Sequence, residues 1–250
     1  MSGHSKWSTI KRKKWAQDAK RGQIFSKLAK EISVAARLGG GDPEMNPRLR
    51  TVLLEAKSQN MPKDNVDRAI KKGTGELPGT SYEETHYEGY APGGVAVVVE
   101  VLTDNKNRTV AEIRHLLGKY GGSMAEHGAV LWNFEQKGYM TIPRGDMTED
   151  EAIEKAIEAG ADDVNVDSDF VEVFTDPQEL HAVGEALQNM GFTLDTQKFM
   201  RIPKTTVQVE GSQAQSVLRL MEALEEQEDV QNVYANFDIT DEEMAEAMGS

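Results

Sequence analysis

Residues 94–109, Gly94-Val95-Ala96-Val97-Val98-Val99-Glu100-Val101-Leu102-Thr103-Asp104-Asn105-Lys106-Asn107-Arg108-Thr109, decide how this chain folds. The valine-rich run through Leu102 reads as a strand, because β-branched side chains fit a pleated surface. Asp104 to Arg108 is a polar turn. Thr109-x-x-Glu112 then reads as a capping box that opens a helix carrying Val110, Ile113, Leu116 and Leu117 and stops at Gly121-Gly122. A strand that hands over to a helix within a few residues is the unit of an α+β or α/β body.

Downstream the alternation continues. Ala129 to Phe134 and Tyr139 to Ile142 read as strands. Thr148-x-x-Glu151 is a second capping box, for a helix ending at Gly160. Val164 to Val166 and Phe170 to Phe174 are short strands around Asp167-Ser168-Asp169. Asp176-Pro177 opens a helix that ends at Met190-Gly191, and Thr193 to Ile202 is extended. This is a β-α-β-β-α-β order, the split βαβ arrangement. Thr205 to Val209, Ser216 to Glu226 and Val230 to Phe237 then supply strand, helix and strand. They are too few for a domain, but they complete a second such set with the β-α-β of residues 87–134.

Upstream the chain changes character. Gly73 to Ser81 is a Gly/Pro/Ser/Thr linker, and before it everything is helical or basic. Gln17 to Leu38 has Ile24, Leu28, Ile32 and Ala35 or Ala36 at helical spacing, with Gly39-Gly40-Gly41 as its end. Asn46 caps a second helix with Pro47 at its first position, and Leu49, Val52, Leu53 and Ala56 form its apolar side. A third helix runs from near Pro62 to Lys72, with Gly73 as its stop. The expected fold is therefore α+β in three domains: an N-terminal three-helix domain, then two split-βαβ (ferredoxin-like) sandwiches, one inserted into the other. The expected boundaries are 1–80, 81–135 with 205–240, and 136–204.

Charge follows the same division. The net formal charge is −14. Residues 1–75 hold 17 Lys and Arg against 7 Asp and Glu, a net of +10, and residues 76–250 hold 11 against 35, a net of −24. A positive lobe on a negative body attracts polyanions at one end only. The expected nucleic-acid contacts are Lys6, Trp7, Lys11, Arg12, Lys13 and Lys14 in the arm, Lys20, Arg21 and Lys27 on the first helix (with Lys30 sharing its polar face), and Arg48 and Lys71 on the next two. Trp7 and Trp15 lie among the arm cations and can stack on bases. The bland alternatives are a solvated basic tail and a solvated helix face.

Other chemistry is scarce. There is no cysteine, hence no disulfide and no thiolate site. His4, His86, His115, His127 and His181 show no metal-ligand spacing, so neither a metal nor a cofactor is expected. No phosphate loop, dinucleotide fingerprint or nucleophile elbow is present, and Gly89 to Gly94 reads as a tight turn into the valine strand. No catalytic residue is expected, and the chain is read as a non-enzyme. Asn105, Asn107 and Arg108 form a second candidate polar site, with helix capping as the competing explanation. The longest strong apolar run, Val95 to Val101, is broken by Glu100 and far too short to span a bilayer. The basic N-terminus lacks the apolar stretch of a secretory signal, so a cytoplasmic protein without membrane contact is expected, and it is read as a monomer.

Gly3-His4-Ser5-Lys6-Trp7, Asp18-Ala19-Lys20-Arg21-Gly22 with Phe25-Ser26-Lys27, Gly39-Gly40-Gly41-Asp42-Pro43 with Asn46-Pro47-Arg48-Leu49-Arg50, Asn60-Met61-Pro62 with Ala69-Ile70, Tyr87 to Gly94, and Asp104-Asn105 with Asn107-Arg108-Thr109 together resemble the YebC family. Met124 to Gly128 departs from the loop many members carry. The resemblance implies a helical domain followed by two α+β domains. It implies two functions: a DNA-binding transcriptional regulator, or a ribosome-associated factor related to the mitochondrial translational activator of cytochrome c oxidase I, which binds RNA and relieves stalling on proline-rich sequences. The partner is then DNA or ribosomal RNA, with the ribosome itself in the second case. A third reading makes the acidic body a protein-interaction module.

Overall fold

The computed structural model describes residues 21–240 and 242–244. The fold is mixed α+β, as the alternation of patterns implies. Helix α1 spans Arg21–Gly39, α2 Pro47–Ser58 and α3 Lys63–Thr74. Asn46 joins the first two: its Oδ1 accepts from Leu49 N as the α2 cap, while its Nδ2 donates to the carbonyls of Ala35 and Gly40, each at 2.8 Å. The stop of α3 is Gly75, in the left-handed region at φ +83°, and not Gly73. Gly73 lies inside the helix because a Cβ there would come closer than 3.0 Å to the Ser33 carbonyl and to Ala36 Cβ. Its value is close approach to the last turns of α1, where Ser33 Oγ also donates to Ala69 O at 2.9 Å.

Strand β1 (Glu83–Ala91) and strand β2 (Val95–Thr103) form an antiparallel hairpin, from Ala91 opposite Val95 to Glu83 opposite Thr103. Gly93 and Gly94 turn it with consecutive positive φ of 79° and 78°. Helix α4 covers Lys106–Lys119, β3 Ser123–Met124, and β4 Phe134–Pro143. Then come α5 (Glu149–Glu158), β5 (Asp163–Val166), β6 (Phe170–Thr175), α6 (Leu180–Asn189) and β7 (Thr196–Pro203). The chain closes with β8 (Val207–Gln208), α7 (Gly211–Glu226), β9 (Val230–Ala235) and β10 (Phe237–Asp238).

The chain divides into two compact units: residues 1–31, 78–135 and 202–250, and residues 32–77 and 136–201. In the first unit the sheet order is β3-β1-β2-β9. The inward residues Val95, Val97, Val99 and Val101 of β2 pack with Ile113 and Leu117 of α4 and with Val217, Leu220, Met221 and Leu224 of α7. Three details differ from the expected strands. β1 is a full strand where only its turn is legible, because its sequence, EETHYEGYA, is polar and paired rather than buried along its length. Ala129 to Phe134 is mostly a short 3-10 turn (Leu131–Asn133) before β4 begins. Thr205 to Val209 contributes only β8, which pairs in parallel with β10 outside the main sheet.

In the second unit the inserted sheet has order β5-β6-β4-β7, with α5 and α6 on one face. Met140, Ile142, Val171 and Val173 face Ala152, Ala156, Leu180, Val183 and Leu187, all below 4% exposure. Each of the larger side chains contributes roughly 1.5–3 kcal/mol by leaving water. The Thr148 capping box forms with both hydrogen bonds. Within this unit Thr51 Oγ1 of α2 lies 3.1 Å from His181 Nε2 of α6, and burial, reinforced by Arg50, lowers the His181 pKa. Among the described residues no helix is long and apolar enough to cross a membrane.

Candidate nucleic-acid interface

Lys6, Trp7, Lys11, Arg12, Lys13, Lys14 and Lys20 lie outside the described residues. The other expected contacts divide by environment. Arg21 is exposed at the start of α1. Lys27 is half-buried, and its ammonium donates to the Glu225 carbonyl at 2.6 Å. Lys30 is not on the solvent face at all: it is 7% exposed, and its Nζ sits 3.0 Å from Asp229 Oδ1 and 3.1 Å from the Glu228 carbonyl. One helix thus spends part of its apparent polar face on packing, since a long side chain can bury its stem and still pair its tip.

On α2 and α3 the picture differs. Arg48 is half-buried. Arg50 is tied back to the Pro43 and Glu44 carbonyls at 3.1 and 2.9 Å. Lys57, Lys63, Arg68, Lys71 and Lys72 are exposed, and none makes an ion pair with a described residue. Arg68, Lys71 and Lys72 lie three and four residues apart, on one side of the last turns of α3. Asp64 and Asp67 stand one turn earlier, and the cations also offset the negative end of the helix dipole. Even so, Arg68, Lys71 and Lys72 make no ion pair with a described carboxylate, and the helix keeps four cations against two carboxylates.

The second candidate site resolves into a network around a residue that sequence reading missed. Asn105, not Thr109, caps α4: its side chain accepts from Arg108 N at 3.1 Å. Thr109 is one turn inside the helix, fully buried, and its hydroxyl donates to Asp229 at 2.8 Å. Asp229, 2% exposed, also accepts from Arg108 Nη2 at 2.6 Å, Thr103 Oγ1 at 3.2 Å and Lys30 Nζ. Burial pushes the Asp229 carboxyl up, but the hydrogen bonds from Arg108, Lys30 and Thr109 and the charge of Lys30 outweigh it and hold the pKa at about 2. Arg108 is raised in turn, chiefly by Asp229 and then by Asp104, 3.0 Å away. Asn107 is exposed at the first turn. The cluster joins α1, β2, α4 and the start of β9, with Leu102 N donating to Asp229 O at 2.9 Å beside a register shift between Glu100 and Val101. Asn105 and Arg108 are therefore held by structure. Only an acidic residue just before a strand hints at Asp229 in the sequence.

A second buried carboxylate escaped the sequence reading as well. Glu88 of β1, 3% exposed, accepts from the backbone N–H groups of Gly128, Val130 and Leu131 at 2.6, 2.7 and 2.9 Å. Burial raises its pKa, but the three backbone donors and His86 bring it below the usual carboxylate value.

Family models match both parts of the chain: residues 5–76 fit the TACO1/YebC protein N-terminal domain, and residues 82–237 fit the TACO1/YebC second and third domain. A protein of Geobacter sp. strain M21 named "probable transcriptional regulatory protein" is 56% identical over 248 residues, covering 99% of this chain and all of that one. Its namesake in Geobacter sulfurreducens is 55% identical over the same length, with the same coverage. The crystal structure of a conserved hypothetical protein from Aquifex aeolicus superposes with a TM-score of 0.84 at 49% identity, covering 91% of this chain and 97% of that one. This chain belongs to the TACO1/YebC family.

Proposed function

We propose that this protein is a nucleic-acid-binding regulator, acting on DNA as a transcriptional regulator through its basic N-terminal domain. The observation that carries the reading is the segregation of charge, +10 over residues 1–75 against −24 over the remainder. Exposed, unpaired Lys57, Lys63, Arg68, Lys71 and Lys72 on α2 and α3 support it, because cations left free of carboxylates are available to phosphates. The names of the relatives support the transcriptional outcome. In this reading the protein is a cytoplasmic monomer whose task is binding and not catalysis. Residues 1–80 form the binding domain, residues 81–135 with 205–240 the acidic body, and residues 136–204 a domain inserted into it.

One observation favours a second reading, a translation factor on ribosomal RNA. Three of the four exposed cations of α3, Arg68, Lys71 and Lys72, lie in its later turns and only Lys63 stands at its start, whereas helix-turn-helix proteins read bases from the N-terminal residues of the recognition helix. Cations at a helix end suit phosphates and shape, the currency of structured RNA. Fluorescence anisotropy with a DNA duplex and a structured RNA of equal length, each over a range of salt, tests binding. Crosslinking in growing cells followed by sequencing of the bound nucleic acid separates the readings. Promoter DNA supports the first, ribosomal RNA the second. Retained affinity after replacing Lys11, Arg12, Lys13 and Lys14 with Ala favours a protein-interaction role instead.

A further inference from the structure

His86 and Glu88 are two residues apart on β1, so their side chains leave the same face of the strand. His127 is 41 and 39 positions away in sequence, in the loop after β3. That loop is wrapped onto β1: Ala125 N donates to the Glu88 carbonyl at 2.9 Å, and Gly128, Val130 and Leu131 donate to its carboxylate. Gly128, at φ +85°, makes the turn that lets the backbone close around Glu88. The result places His86 Nε2 3.5 Å and His127 Nδ1 3.7 Å from the same oxygen, Glu88 Oε1. All three donor atoms lie within 4.8 Å of one another, and the two imidazole rings are 4.7 Å apart.

We propose that His86, Glu88 and His127 form a binding site for a divalent transition metal of the zinc type. Two imidazoles and one carboxylate make a three-ligand protein set for Zn²⁺, with a fourth position left to water or a partner. With metal–ligand bonds of about 2.0–2.1 Å, a tetrahedral site needs donor–donor separations of roughly 3.3–3.4 Å. The two histidine–carboxylate distances require a contraction of only a few tenths of an ångström, and the two imidazole nitrogens, within 4.8 Å of each other, must close by up to about 1.4 Å, a movement open to the exposed His127 side chain. His86 Nε2 is buried without a hydrogen-bond partner, and a coordinated cation would satisfy it. The backbone donors to Glu88 act as the outer shell that orients a ligating carboxylate. His127 is largely exposed, so the fourth position opens to solvent. Metal binding would fasten the loop of residues 125–131 to β1.

The test is a Zn²⁺ titration of the full chain in competition with a chromophoric chelator, repeated with Co²⁺ for its visible absorption. One equivalent bound, with a tetrahedral-type Co²⁺ spectrum, is expected. His127→Ala and His86→Ala should each weaken binding at least tenfold. His127 is at the surface, so its variant keeps the fold, which an unchanged circular dichroism spectrum checks. Absence of binding overturns the proposal. So does a His86→Ala/His127→Ala double variant that binds with the parent's affinity and stoichiometry, because His4, His115, His181 or surface carboxylates would then be holding the ion.

Discussion

Arg108 Nη2 lies 2.6 Å from Asp229 Oδ2, across 121 residues of sequence, and closes a network in which Asp229 also takes hydrogen bonds from Lys30, Thr103 and Thr109. The two cations are not equivalent. Lys30 is buried and takes its nearest counter-charge from Asp229, with only the exposed Glu228 carboxylate at 3.8 Å beside it among the described residues, whereas Arg108 is half-exposed and can return to water. Asp229→Ala should therefore destabilise the protein by about 3–5 kcal/mol, the cost of stranding a buried charge, and Arg108→Ala by clearly less. Urea unfolding of both variants measures this, and equal losses would contradict the asymmetry.

The same carboxylate makes stability depend on acidity. Its folded pKa of about 2 is below the ordinary 3.8, so its contribution is fully present above pH 3.8 and is lost as the pH falls through 2. The loss amounts to on the order of 2 kcal/mol. The parent should lose stability more steeply than Asp229→Asn between about pH 4 and pH 2. Denaturant midpoints across that window report it, and parallel curves would assign the acid sensitivity elsewhere.

Gly73→Ala is expected to cost about 1–3 kcal/mol, because the added methyl meets the backbone of Ser33 and not a side chain that can swing away. Alanine favours helix by itself, so a propensity argument predicts the opposite sign. Gly75→Ala should also destabilise, through the left-handed φ at the α3 stop. Thermal melts of the two variants beside the parent distinguish close approach from helix propensity at position 73.

Replacing Arg68, Lys71 and Lys72 together with Ala should weaken binding to nucleic acid without changing the fold. The slope of log affinity against log salt should become shallower by roughly 0.9 for each duplex phosphate that is no longer neutralised, and by less on single strands. An affinity drop with an unchanged slope would mean that these residues act indirectly. The arm variant at Lys11, Arg12, Lys13 and Lys14 provides the comparison.

The local elements were largely legible in the sequence because their determinants are local. Asn46-Pro47 and Thr148-x-x-Glu151 announce helix starts by hydrogen bonds that reach only three residues, and the valines of β2 announce a strand by composition. The split-βαβ order of residues 136–201 followed from the same signals. β1 was illegible because its strand character comes from pairing with β2, not from its own polar residues.

Charge segregation, the helices and the α+β class are properties of the sequence itself, fixed by composition and by spacing along the chain. Which cations remain free was decided only by the fold. Lys30 and Arg108 look like Lys71 in sequence, yet they converge on Asp229 while Lys71 stays in water. The meeting of His86, Glu88 and His127 has the same origin: a carboxylate buried among backbone donors draws a distant loop around it, and no spacing rule along the chain records that closure.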